Sequence, residues 1–155
     1  MRTPASIAGH PIHPMLVPIP IGLWIFSLVC DLAAAGGSSN PAWHTVALYT
    51  IGGGIVGALL AAVFGLIDLI SLPPGPRGTA LKHMAINLIV VALFVVNFWM
   101  RYSDPAKGGA TLWLSIVAIG LLVISGWLGG KMVYEHGIGV SAVPGTTQAP
   151  GIRRP

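Results

Sequence analysis

Charge is what this chain has least of. Only 8% of its 155 residues are Asp, Glu, Lys or Arg, and four of those are acidic, where an ordinary soluble domain carries roughly 25%. Cysteine is nearly absent as well. The lone Cys30 cannot build a disulfide framework, and no C-x-x-C-H run offers an attachment site for a c-type haem. The basic residues lie scattered between apolar runs rather than along one face, so the net charge of +4 is no nucleic-acid footprint. There is no G-x-S-x-G and no G-x-x-x-x-G-K-[ST], so neither a serine hydrolase nor a phosphate-cradling loop is legible. The "GGGIVG" stretch sits inside an apolar run and reads as close helix packing.

What the chain has in abundance is apolar residues, 54% of the total. They gather into four segments, about 16–35, 46–72, 83–102 and 111–133. Each reaches the ~20 residues that cross a ~30 Å hydrocarbon core as helix. In lipid every main-chain N–H and C=O needs a partner within the segment, which helices supply. Transmembrane strands would be about 10 residues long with alternating polarity. The reading is an all-α integral membrane protein, a four-helix up-down-up-down bundle over residues 1–140 with short Gly/Pro-rich connections. A polar tail over 141–155, "SAVPGTTQAPGIRRP", has no apolar periodicity and reads as disordered. The first run followed by Ala33-x-Ala35 mimics a signal peptide, but Pro18, Pro20 and Trp24 interrupt its apolar region, so retention is expected.

Orientation follows from the basic residues. Arg2, Arg77, Lys82, Lys131, Arg153 and Arg154 fall on the side of the termini, against Arg101 and Lys107 on the other. The positive-inside bias therefore predicts a multi-pass protein of the bacterial cytoplasmic membrane with both termini in the cytoplasm.

The few polar groups are not spread evenly. "GHPIHPML" places His10 and His13 at the start of the first span, and Asp68 lies about a turn from the end of the second. His83 opens the third, with Asn87 four residues on and hence on the same helical face. Glu135 and His136 close the fourth. Each helix thus delivers a histidine or carboxylate to one membrane face, while Asp31 and His44 lie toward the other. An intramembrane carboxylate is costly unless paired, so Asp68 should face the bundle interior; Asp31 has the same status as a structural partner. Pro11 and Pro14 push His10 and His13 toward extended backbone, with Pro14 the first helical residue. Helices one and three open "HPM" and "HMA", and helices two and four end on Asp68 and Glu135. That is what a duplicated helical hairpin would leave, with a site between its halves.

"GHPIHPMLVPIPIGLW", "GLIDLI", "KHMAINL" and "GWLGGKMVYEHGIGV" together resemble a bacterial family of small four-helix predicted membrane proteins built on a domain of unknown function. The resemblance spans roughly Gly9 to Val140. Members fused to Rieske or cytochrome-c-like domains imply a redox neighbourhood, which for this chain means separate electron carriers.

Three functions fit these residues. The first is b-type haem electron transfer to or from quinone. His83 is the first axial ligand with His13 or His136 opposite, Asn87 or Asp68 orients an imidazole, and Gly126, Gly129 and Gly130 make room for a porphyrin. The second is a Zn, Fe or Cu ion held among His10, His13, His83, His136, Asp68 and Glu135. The third is a non-catalytic accessory subunit of a larger membrane complex, whose polar cluster is a helix-end network. Lipid is the one partner common to all three, self-association is compatible with each, and an enzymatic reaction is not assigned.

Overall fold

The computed structural model describes residues 3–104 and 108–140, so the 141–155 tail lies outside the described residues. A two-stranded hairpin, β1 (Ser6–Ile7) and β2 (His10–Pro11), precedes α1 (Ile12–Leu16), α2 (Pro18–Ala35), α3 (Ala42–Ile70), α4 (Pro74–Ser103) and α5 (Gly108–Tyr134). Four spans are long and apolar enough to cross a membrane, with α1 and α2 acting as one from Ile12 to Ala35. The expected all-α four-helix membrane architecture is therefore what the chain adopts.

Two local expectations need correcting. The helix of the first span begins at Ile12, before Pro14, so His13 is already helical. A proline in the first turn costs nothing there, because its missing N–H would have had no helical partner. The ladder instead weakens at Pro18 and Pro20, which cannot donate, and α1 and α2 join through Val17. Likewise "SLPPGPRGTALK" is not a loop: α4 starts at Pro74, at the position that favours proline, and His83 lies more than two turns inside it.

Helices adjacent in sequence pack side by side, and α2 packs on α5 to close the ring. This leaves α2 and α4 diagonally opposed, meeting through side chains along the bundle's central axis. Trp24 stacks on Phe94 with ring centroids 4.3 Å apart and planes 12° from parallel. Asp31 and Arg101 form an ion pair at 2.7 Å. His13 and His83 face each other at 6.4 Å. Each pair is separated by 70 positions in the chain. His13, Trp24 and Asp31 lie 11 and 7 residues apart, close to three and two helical turns, so they share one helix face. On the partner helices the offset is 64: Ala61 and Gly65 of α3 correspond to Ser125 and Gly129 of α5. The molecule is thus two helical hairpins related by an approximate two-fold along the bundle axis. The acidic correspondence is shifted, however, because Asp68 maps onto Met132 and not onto Glu135.

The core gathers at mid-bundle around Trp24, Ile51, Val90, Phe94 and Ala118. The glycines of "GGGIVG" do pack closely within the chain. Gly54 lies under the Trp24 indole, Gly57 against Ile19 and Pro20, and Gly52 against Phe98. An alanine at Gly54 would drive its Cβ into an indole already fixed by the Phe94 stack and by a 3.3 Å bond from Nε1 to the Ile51 carbonyl. Gly54→Ala is expected to destabilise the bundle by about 1–3 kcal/mol, the usual cost of overpacking, read as a lower denaturant midpoint in detergent. Large apolar side chains such as Leu59, Val63, Val123 and Trp127 are exposed in the isolated chain, and in a bilayer they face lipid.

Candidate functional site

Near the end of the bundle that carries Thr3 and Val140, α1 and α4 each aim a histidine at the axis, and α3 and α5 receive them in the same way. The His13 Nδ1–H donates to the Ala61 carbonyl at 2.8 Å. The His83 Nδ1–H donates to the Ser125 carbonyl at 2.9 Å. Both carbonyls lie within α-helices, where each already accepts a bond from the residue four positions on. In each case that residue is a glycine. Gly65 has no Cβ to shield the Ala61 oxygen, and the His13 ring packs against it so tightly that an added Cβ would come within 2.9 Å of Nδ1. Gly129 stands in the same relation to His83, where an added Cβ would approach Cε1 to 3.5 Å. Carbonyl and glycine one turn apart form a seat for an imidazole, and the chain contains it twice.

The seat settles the ring chemistry. A carbonyl only accepts, so Nδ1 carries the proton on each neutral ring and Nε2 holds the lone pair. The two rings stand at 90° to one another. They are not equivalent in their surroundings. Around His83 the Asn87 Nδ2 lies 3.1 Å from Nε2, 2.9 Å from the His83 carbonyl and 2.7 Å from Ser125 Oγ. Ser125 Oγ also lies 2.9 Å from His83 Nδ1. In the first hairpin the corresponding positions are Val17 and Ala61, and His13 lacks this polar collar.

The remaining candidates are arranged differently. His10 is exposed, its Nδ1 3.2 Å from the Ala8 carbonyl. Glu135 pairs with Lys131 at 3.5 Å on the surface, and His136 lies half-buried beyond the end of α5. Asp68 is buried but faces the N-terminal segment, where its Oδ1 accepts the Ala5 N–H at 2.9 Å. Among the described residues no three His, Cys, Asp or Glu groups lie close enough to share a metal ion. Of the glycines, Gly129 borders His83, while Gly126 and Gly130 have no neighbour within 4 Å of where a Cβ would stand. Gly65, Ala61 and Ser125 were not among the sequence candidates. The 64-residue offset carries them, but it becomes visible only once the two histidines are aligned.

A second polar network closes the far end. Arg101 forks onto Asp31 with Nη1–Oδ1 at 2.8 Å and Nη2–Oδ2 at 2.7 Å. Its Nε donates to Asn97 Oδ1 at 2.7 Å, and Asn97 donates to the Thr111 carbonyl and to Ser115 Oγ, each at 2.9 Å. Ser115 in turn donates to Asp31 Oδ2 at 3.1 Å. Arg101, which the sequence places among the basic residues of the far side, has a side chain only 7% exposed. The signal was its spacing, since Arg101 follows His83 by the same 18 residues by which Asp31 follows His13.

A family model described as "Predicted membrane protein (DUF2231)" matches residues 9–142. No curated protein and no solved structure matches the chain.

Proposed function

The chain belongs to the DUF2231 family of predicted membrane proteins, and within that frame we propose that His13 and His83 would hold a b-type haem, which would supply electron transfer at one face of the membrane. The observation that carries this reading is the pairing itself. Two histidines from equivalent places in two hairpins meet on the axis at 6.4 Å, each with Nδ1 tied to a main-chain carbonyl. Ligating histidines are commonly held in this manner, which orients the ring and raises the basicity of Nε2.

The residues fit the group on three counts. With metal–imidazole nitrogen bonds of about 2.0–2.1 Å, two rings whose centroids lie 6.4 Å apart are near enough that both would reach one metal centre. Two imidazoles without a third protein donor suit a centre that brings its own equatorial nitrogens better than a bare tetrahedral ion, which wants about four protein ligands. Finally, Asn87 can release His83 without loss. Its amide has two protons and three acceptors within reach, so both protons remain bonded when Nε2 turns to a metal.

When bound, a haem with two imidazole ligands supplies one-electron chemistry. The chain's own part would be to hold the His13 and His83 rings side by side, each tied through its Nδ1–H, and to surround them with apolar helices. Its electron donors and acceptors would be quinone in the bilayer or redox proteins at the membrane surface. We place this end of the bundle in the cytoplasm by the positive-inside bias.

One observation favours a second reading. In the chain as it stands both nitrogens of His83 have partners, as a purely structural network in an accessory subunit would require. A single experiment separates the two. Protein purified in detergent, with haem supplied, is expected to show a Soret band and sharp reduced α and β bands. His13→Ala and His83→Ala should each abolish that low-spin spectrum. A protein that stays colourless after loading overturns the haem reading, and stoichiometric metal without a visible band would point to a bare Zn or Cu ion.

A further inference from the structure

The sequence that precedes His13 is not a loose leader, and its placement gives the buried Asp68 a use that the paired histidines do not explain. Thr3 and Ala5 are buried although they stand near the chain's beginning. The segment doubles back through a tight turn in which Ala8 and Gly9 take φ values of 50° and 80°. Left-handed backbone at both central positions matches the twist of a two-residue hairpin. The hairpin is fastened at two points. Ile12 N–H donates to the Ala5 carbonyl at 2.9 Å, and Ala5 N–H donates to the Asp68 carboxylate at 2.9 Å.

These fastenings lie directly outside the histidine pair. Asp68 is one helical turn beyond Gly65, the residue on which the His13 ring rests. At the same level, Leu69, Leu72 and Ala80 pack with Met84, Met132 and Ile138. Ile138 is brought there by a turn after α5 in which Gly137 takes φ +63°, closed by a 3.1 Å bond from Ile138 N–H to the Met132 carbonyl. The N-terminal hairpin and the turn after α5 touch where Pro11 meets Gly139, whose added Cβ would lie 3.4 Å from Pro11 Cγ. One half of the layer between the pair and the end of the bundle is therefore helix and C-terminal turn. The other half is the N-terminal hairpin, tied to α3 through the Asp68 carboxylate.

We propose that the segment Thr3–Pro11 is a cover over the His13–His83 pair, latched by Asp68, and that reagents in water reach the pair when it lifts. Asp68 suits a latch. A carboxylate embedded in an apolar helix end needs a partner, and here that partner is a main-chain amide of the N-terminal segment. Releasing it exposes a two-residue hairpin that is unstable alone, so the cover is either seated or free. His13 lies immediately past the cover on the short α1, so the ring and its shield are covalently linked. None of this depends on what the imidazoles carry, so the cover can fail while the haem reading stands, and the reverse.

The test is carbethoxylation of the full-length chain, purified in detergent without haem or added metal so that both Nε2 atoms are unligated, with diethylpyrocarbonate, each histidine followed by fragment mass spectrometry. His10 on the cover and His44 at the far end are exposed and serve as internal references. In the unaltered chain His13 is expected to react about tenfold or more slowly than His10, as one retained charge-assisted bond implies. Asp68→Ala and Ala5→Pro remove the same bond from opposite partners, and each should raise the His13 rate severalfold with His44 unchanged. Ala5→Pro lies outside every helix, so it keeps the test open should Asp68→Ala disturb the bundle. A His13 that reacts as fast as His10 in the unaltered chain overturns the cover. So does an Ala5→Pro chain whose His13 rate is unchanged.

Discussion

Arg101→Ala is expected to lower the stability of the bundle by about 3–5 kcal/mol, the cost of stranding one member of a buried ion pair. The side chains of Arg101 and Asp31 are 7% and 5% exposed. Removing the guanidinium leaves a carboxylate in a bundle end walled by α2, α4 and α5, where the Ser115 hydroxyl still donates to it but no charge balances it among the described residues. Asn97 also loses the donor to its Oδ1. The loss should appear as a lower midpoint in unfolding by SDS or urea from mild detergent, with Asp31→Ala behaving alike. Removing both charges together, as Asp31→Leu with Arg101→Met, should regain most of the loss, because a hydrophobic replacement of a buried pair is often neutral. Single variants with unchanged midpoints would mean that both charges reach water, contrary to the geometry.

Gly65→Leu should abolish the histidine pairing while leaving the four spans in place. A Cβ at Gly65 already comes within 2.9 Å of His13 Nδ1, and a leucine side chain needs the volume that the ring occupies. His13 must then leave the Ala61 carbonyl. If the pair ligates a haem, the low-spin spectrum should fall to that of His13→Ala. Even Gly65→Ala should weaken retention about 10–100-fold, the range for disturbing a group that orients a ligand. Gly129→Ala is the matched control. Its Cβ would meet His83 at 3.5 Å, an ordinary contact, so it should change little. Equal effects at the two glycines would overturn the view that His13 sits in the tighter seat.

How much of this could be read beforehand depends on the distance over which each feature is encoded. The spans, their number and their short connections follow from runs of apolar residues, a property of neighbours in sequence. The ends were less accurate, and proline is the reason. It marks a boundary without saying on which side the helix lies, and both Pro14 and Pro74 fall inside helices where a turn or a first residue was expected. The histidine cluster was visible as a one-sided enrichment, but its membership was not. Of the six groups proposed as metal ligands, the fold brings His13 and His83 together, sends Asp68 to the N-terminal hairpin and leaves Glu135 to Lys131.

The duplication was glimpsed from two short matches, one of them misaligned. Its strongest traces are pairs of unlike residues. Trp24 answers Phe94, Ser27 answers Asn97 and Asp31 answers Arg101. Comparing letters finds no repeat at these three places, where the halves have diverged; the His13–His83 pair kept its letter. Residues on a two-fold axis meet their own counterparts, and two identical charges or two tryptophans would not pack in one place.

Solvent decided the architecture. Lipid forces each apolar run to satisfy its own main chain, so four helices were inevitable from composition and order. Which side chains share the axis was another matter. It depends on how two hairpins turn toward one another, and that is settled by contacts between residues 42 to 84 positions apart. A glycine that bares a carbonyl, a carboxylate that finds an amide and an arginine that finds its acid acquire meaning only when the helices are assembled.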